Sequence, residues 1–166
     1  FTDISAGLPG AGSGSAAWGD YDGDGDLDIL LSGMTGLSGS ATGATTVFRN
    51  DAGIFTEVQT LVSLYATRAA WADYDNDGDL DVALLGRVSA ADTVPAFYLF
   101  KYDDGSFVEV TTTITPLLLG QLEWGDFDND GDQDYIMATG FFSGDIYISE
   151  RIDAANPFGE PYLAGS

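Results

Sequence analysis

A nine-residue acidic loop, always introduced by a Trp two positions earlier, occurs three times in this chain at a constant step of 53 residues. That periodicity limits the fold more than any other feature, because an internal repeat makes each unit one supersecondary element stacked on its neighbours. The copies run Trp18-Gly-Asp-Tyr-Asp-Gly-Asp-Gly-Asp-Leu-Asp28, Trp71-Ala-Asp-Tyr-Asp-Asn-Asp-Gly-Asp-Leu-Asp81 and Trp124-Gly-Asp-Phe-Asp-Asn-Asp-Gly-Asp-Gln-Asp134. A second motif keeps nearly the same step: Phe55-Thr-Glu-Val58 and Phe107-Val-Glu-Val110, with Phe1-Thr-Asp-Ile4 ahead of them.

Between these anchors the pattern is that of strands. The first unit reads as strands at Ser15–Gly19, Leu27–Gly33, Thr45–Arg49 and Ile54–Val58. The second gives Arg68–Ala72, Leu80–Gly86, Ala96–Tyr102 and Ser106–Val110. The third gives Gln121–Gly125, Asp134–Gly140, Asp145–Ser149 and a weaker Phe158–Tyr162. Asn50-Asp51-Ala52-Gly53 and Asp103-Asp104-Gly105 are hairpin turns by composition, since Gly and Asn accept the positive φ a tight turn needs. Gly33–Gly43 and Ser89–Thr93 read as loops. Leu61–Ala72 is the best helical stretch, yet its β-branched residues and Trp71 favour a strand. The expectation is an all-β domain over residues 1–166, with four-stranded antiparallel units near 15–58, 68–110 and 121–162. Four strands in about 50 residues is the size of a β-propeller blade.

Each loop has the form Asp-x-Asp-x-Asp-Gly-x-x-Asp. Alternating carboxylates on a tightly curled backbone converge on one point, and the Gly at position six (Gly25 in the first copy) permits the curl. An all-oxygen, multi-carboxylate set suits a hard cation of calcium size. An EF-hand would require a bidentate Glu at position twelve between two helices. Position twelve is Leu31, Leu84 or Met137, and the flanks are strand-like.

The loop, with the apolar strand and Gly that follow it, resembles the FG-GAP or VCBS repeat family, which includes the calcium-binding blades of integrin α-subunit propellers. The resemblance implies a calcium-stabilised propeller with the ion held between the first two strands of each blade. The side-chain ligands it implies are Asp20, Asp22, Asp24 and Asp28; Asp73, Asp75, Asp77 and Asp81; and Asp126, Asp128, Asp130 and Asp134. Asp26, Asp79 and Asp132 would add carbonyl oxygens, giving three Ca2+ sites. Closed propellers have roughly four to eight blades, so three loops imply further blades, from a parent chain or from a second copy that completes a six-bladed ring. Residues 1–4 would then close a blade or belong to a preceding one.

Charge narrows the function. The chain carries 27 Asp and Glu against 5 Lys and Arg, a formal net charge of -22, with 45% apolar residues. Such a surface repels nucleic acid and anionic membranes and attracts cations. Without Cys or His there are no disulfides, no thiolate or imidazole ligands and no His acid–base chemistry. No apolar run is long enough for insertion as a membrane helix. Phe1 opens the sequence without Met or a leader, which reads as a processed chain.

Trp18, Trp71 and Trp124 are expected to pack between units, and Tyr21, Tyr74 and Phe127 to pack under the hairpins. Phe97, Leu99 and Lys101 alternate with Tyr98, Phe100 and Tyr102, placing the two sets on opposite faces. Tyr98, Tyr102, Phe141, Phe142 and Tyr147 are the non-repeating aromatics available for recognition. Arg49, Arg68, Arg87, Lys101 and Arg151 read as ordinary surface ion pairs. The reading that follows is a non-catalytic structural or adhesion-type module of a secreted or cell-surface protein, engaging a protein or glycan. A carbohydrate-binding propeller and a non-catalytic part of a polysaccharide-degrading enzyme are the alternatives.

Overall fold

The computed structural model describes residues 5–35, 42–89, 94–112, 114, 116, 120–138, 146–149 and 162–165. Among them there is no helix, and twelve strands form three antiparallel sheets. Sheet 1 comprises β1 (Gly12–Gly19), β2 (Asp28–Thr35), β3 (Thr42–Asp51) and β4 (Ile54–Thr60). Sheet 2 comprises β5 (Tyr65–Ala72), β6 (Asp81–Arg87), β7 (Pro95–Asp103) and β8 (Ser106–Val110). Sheet 3 comprises β9 (Gln121–Gly125), β10 (Asp134–Ala138), β11 (Ile146–Ser149) and β12 (Tyr162–Gly165). In each sheet the strands pair in chain order, so every unit is a four-stranded meander.

The all-β, three-unit expectation holds, with changes at the margins. Gly33–Thr35 and Thr42–Gly43 extend β2 and β3 where a loop was expected, because their backbones pair across the hairpin. A final strand lies at Tyr162–Gly165, paired with β11, while all of the expected Phe158–Tyr162 strand except Tyr162 falls outside the described residues. Phe1–Ile4, Phe141, Phe142 and Arg151 fall outside the described residues. Both hairpin turns form as composition dictates. Ala52 and Gly53 have φ of 51° and 93°, and Asp104 and Gly105 have 46° and 85°. Two successive positive-φ residues give the turn whose twist matches the flanking strands.

Successive sheets stack through two apolar cores, with sheet 2 contributing a face to each. Val82, Leu84, Phe100 and Phe107 join Leu30, Val47 and Tyr21 of sheet 1. On the other side Ala83, Leu85, Leu99 and Tyr74 meet Leu122, Tyr135 and Met137 of sheet 3. The period of two along β6 and β7 thus serves both neighbours. Phe97 and Leu99 turn one way and Tyr98, Phe100 and Tyr102 the other, so Tyr98 and Tyr102 belong to packing. Burying a side chain such as Leu30 or Leu84 contributes about 1.5–3 kcal/mol.

Polar ties fix the stacking. The Ala69 amide donates to Ser15 Oγ (2.9 Å), and Trp71 Nε1 donates to the Ala17 carbonyl (3.4 Å). At the outer strands Gln59 reads the Phe107 backbone twice, Nε2 donating to its carbonyl and Oε1 accepting from its amide, each at 2.9 Å. Between sheets 2 and 3, Arg68 Nε donates to Gln121 Oε1 at 3.2 Å.

Two aromatic positions depart from expectation. Trp71 lies on Tyr21, rings stacked at 5.9 Å, and a Cβ at Gly19 would come within 2.8 Å of the Trp71 ring. Trp124 packs against the core between sheets 2 and 3. Trp18, in contrast, is 62% exposed and touches Phe55 of its own sheet. Tyr21 and Tyr74 are 3% and 4% exposed, but Phe127 is 48% exposed. The reason is position in the stack: Tyr21 and Tyr74 face the next sheet, whereas Trp18 and Phe127 lie on the two outward faces.

Candidate metal centres

The three acidic loops occupy the same place in each sheet, between its first and second strands. Their curl is set by two left-handed residues. Position six is Gly25, Gly78 or Gly131, with φ of 94°, 100° and 96°. Position four is Gly23, Asn76 or Asn129, with φ of 71°, 60° and 62°. Only Gly, Asn or Asp adopts that region readily. The Gly–Asn–Asn variation at position four therefore has a backbone cause that spacing alone did not disclose.

The first Asp of each loop closes it. Asp20 Oδ2 accepts from the Gly25 amide at 3.1 Å, Asp73 Oδ2 from Gly78 at 3.1 Å, and Asp126 Oδ2 from Gly131 at 3.1 Å. The last Asp is buried at the start of the second strand and ties the loop to the sheet. Asp28 accepts from the Tyr21 amide (3.1 Å) and the Asn50 amide (2.8 Å). Asp81 accepts from Tyr74 (3.1 Å) and Tyr102 (2.8 Å), and Asp134 accepts from Phe127 (3.1 Å). These ties leave the carboxylates of positions one, three and nine facing each other.

In each loop one oxygen from each of those three residues lies within 4.8 Å of the others. The clusters are Asp20, Asp22 and Asp28; Asp73, Asp75 and Asp81; and Asp126, Asp128 and Asp134. Position five stands apart from this grouping. Asp24, Asp77 and Asp130 each accept from the amide two residues on, at 2.9, 3.0 and 2.9 Å. The side chains at position seven also have uses of their own. Asp26 accepts from the Ala52 amide of the β3–β4 turn at 2.8 Å, and Asp132 accepts from Asn76 Nδ2 at 2.6 Å. Asn76 also donates to the Gly131 carbonyl at 3.0 Å, so the second loop is laced to the third.

The electrostatics are those of acids crowded together and partly dehydrated. Burial pushes the Asp81 carboxyl up to about 7, outweighing the amides of Tyr102 and Tyr74, with repulsion from Asp75 and Asp77 adding to it. Asp28 moves in the same direction, again through burial first. Asp22 is raised by burial and then by the neighbouring Asp24. Asp20 Oδ1 is buried without a hydrogen-bond partner among the described residues. A cation is one partner that would satisfy an oxygen so placed, because burying it bare is costly. The donor set could hold a metal ion: oxygen only, with three converging carboxylates per loop.

One residue of the second site had no counterpart in the sequence reading beyond a generic ion pair. Lys101 of β7 places Nζ 2.5 Å from Asp75 Oδ2 and 2.8 Å from Asp77 Oδ2. Hydrogen bonding to Lys101 lowers the Asp77 pKa, and bonding to Asp75 and Asp77 raises that of Lys101. Arg49, at the equivalent place in β3, pairs instead with exposed Asp51 at 2.6 Å, the ordinary surface pair expected. The signal for Lys101 was available only through strand register, since 26 residues separate it from Asp75.

No protein-family profile, curated protein or solved structure matches this chain.

Proposed function

We propose that the chain is a calcium-stabilised β-propeller module of the FG-GAP/VCBS kind, acting as a non-catalytic structural or adhesion-type domain outside the cell. The observation that carries this reading is the threefold convergence of carboxylates at one repeat position. Asp20, Asp22 and Asp28, with their equivalents, would hold the ion, and Asp24, Asp77 and Asp130 would complete the shell by turning from their amide contacts. Bound calcium supplies positive charge that the acid clusters otherwise lack, which favours the folded loop. Modules of this kind bind calcium at about 10⁻⁴ to 10⁻³ M, a range that suits a calcium-rich extracellular compartment.

Isothermal titration tests the site count: three calcium ions per chain are expected, with magnesium much weaker. Calcium tenfold above its dissociation constant stabilises the fold by about 1.4 kcal/mol per site. Chelator should therefore lower the melting temperature by several degrees. A stoichiometry near zero with an unchanged melt would remove the calcium reading.

The outward faces favour a partner made of the same kind of sheet, from a parent chain or a second copy. Trp18 lies exposed where Trp71 is covered by Tyr21. On sheet 3 an apolar hollow lined by Trp124, Phe127, Tyr135, Ile136 and Ile148 lies beside Phe127, the counterpart of Tyr21. Exposed apolar faces of this kind usually mark interfaces. Sedimentation in millimolar calcium should detect self-association of the isolated chain that Trp18→Ala weakens. A monomer at every concentration, with no apolar dye binding, would count against it.

A further inference from the structure

The first two loops share one geometry but not one charge environment, and the difference lies on the third strand of their sheets. Register makes the positions equivalent: the amide of Asn50 reaches Asp28 and that of Tyr102 reaches Asp81, so Arg49 and Lys101 occupy the same place one residue earlier. In sheet 1 that place holds a guanidinium diverted to Asp51. In sheet 2 it holds an ammonium seated on Asp75 and Asp77, at 2.5 and 2.8 Å.

We propose that Lys101 is a resident cation of the second loop, holding Asp75 and Asp77 together without a metal and having to leave when one binds. The inference rests on reading the loops as calcium sites. Its chemistry is competition: Asp75 is common to the ammonium contact and to the carboxylate cluster, and a divalent ion held beside the ammonium would be repelled by it. The Asp75 side chain is only 12% exposed, so the ammonium cannot simply be replaced there by water. The three sites consequently fill in order, the second last. The second loop also stays formed at low calcium, which preserves the Asn76 contacts to the third loop.

Site-resolved titration of the whole chain tests this. The amides of Gly25, Gly78 and Gly131 each bond to the first Asp of their own loop and give one NMR reporter per site. In the native chain the Gly78 signal should respond at the highest calcium concentration. Lys101→Met should move its midpoint to lower calcium by about tenfold or more, the scale of losing charge-assisted hydrogen bonds, while Gly25 and Gly131 stay put. Lys101→Arg keeps the charge and should retain the high midpoint. In chelator, Lys101→Met should also speed amide exchange in the second loop alone. Three coincident midpoints that ignore Lys101→Met would overturn the competition while leaving calcium binding intact. Signals unmoved by calcium at all three loops would overturn both.

Discussion

Trp18 and Trp71 hold the same place in two successive repeats and meet opposite surroundings. Trp71 is stacked on Tyr21, donates to the Ala17 carbonyl, and requires Gly19 beneath its ring. Trp18 has a similar sequence context and is open to solvent, with Phe55 at 6.2 Å. The same contrast runs through the apolar residue that follows the loop by two positions. Leu30 and Ala83 are fully covered, whereas Ile136 is 39% exposed. A repeat therefore specifies an apolar residue at a position, while the neighbouring sheet decides whether that residue contributes to stability.

Substitution at the two Trp positions gives the largest test of this contrast. Trp71→Ala should cost about 3 kcal/mol or more, because it empties the junction between sheets 1 and 2. Trp18→Ala should change stability by about 0.5 kcal/mol, as surface substitutions do. Urea unfolding measures both. Equal losses would break the comparison, and a concentration-dependent loss at Trp18 would show the face is covered by association.

Next in size is the pair behind the loops. Leu30→Ala should cost about 2–4 kcal/mol, since its site cannot fully collapse. Ile136→Ala should cost about 1 kcal/mol or less, because much of that side chain already faces water. Thermal melts of the two variants rank them, and a reversed order would mean sheet 3 is the better packed end.

Gln59→Ala probes the polar tie at the same junction. It leaves the Phe107 amide and carbonyl without their partner, a loss of about 1–2 kcal/mol. No loss would mean that water replaces the tie and that apolar stacking alone holds sheets 1 and 2.

The remaining test is a trend with pH. In the calcium-free chain burial raises the Asp81 carboxyl from 3.8 to about 7, so the folded state holds a proton that the unfolded state has released. Its contribution is present below the unfolded value and lost as pH rises through the folded one. In chelator, stability should therefore decline between pH 4 and about 7. Excess calcium should oppose that decline, because the ion competes with the proton for the same oxygens. A chelated protein that gains stability over this window would mean Asp81 is charged throughout.

Much of the fold was legible because the period of the chain is also the period of the structure. Ser106–Val110 and Gln121–Gly125 are strands with the bounds that alternation and turn residues indicate. The acidic loops were legible for a local reason: curled backbone, alternating Asp and a Gly at φ near 100° lie within nine residues, so spacing alone brings positions one, three and nine together. Position five was less so, since Asp24, Asp77 and Asp130 have nearby amides to bond.

Sequence by itself determined the all-β architecture, the three four-stranded units and the place of the carboxylate clusters, all of which depend on contacts close along the chain. Tertiary structure decided what depends on distant ones. It buried Tyr21 and Tyr74 but left Phe127 exposed, laced Asn76 to the third loop, and sent Lys101 to Asp75 while Arg49 went to Asp51. A repeat writes equivalent positions into the chain, but stacking gives each of them a different neighbour, and packing and charge pairing act on the neighbour.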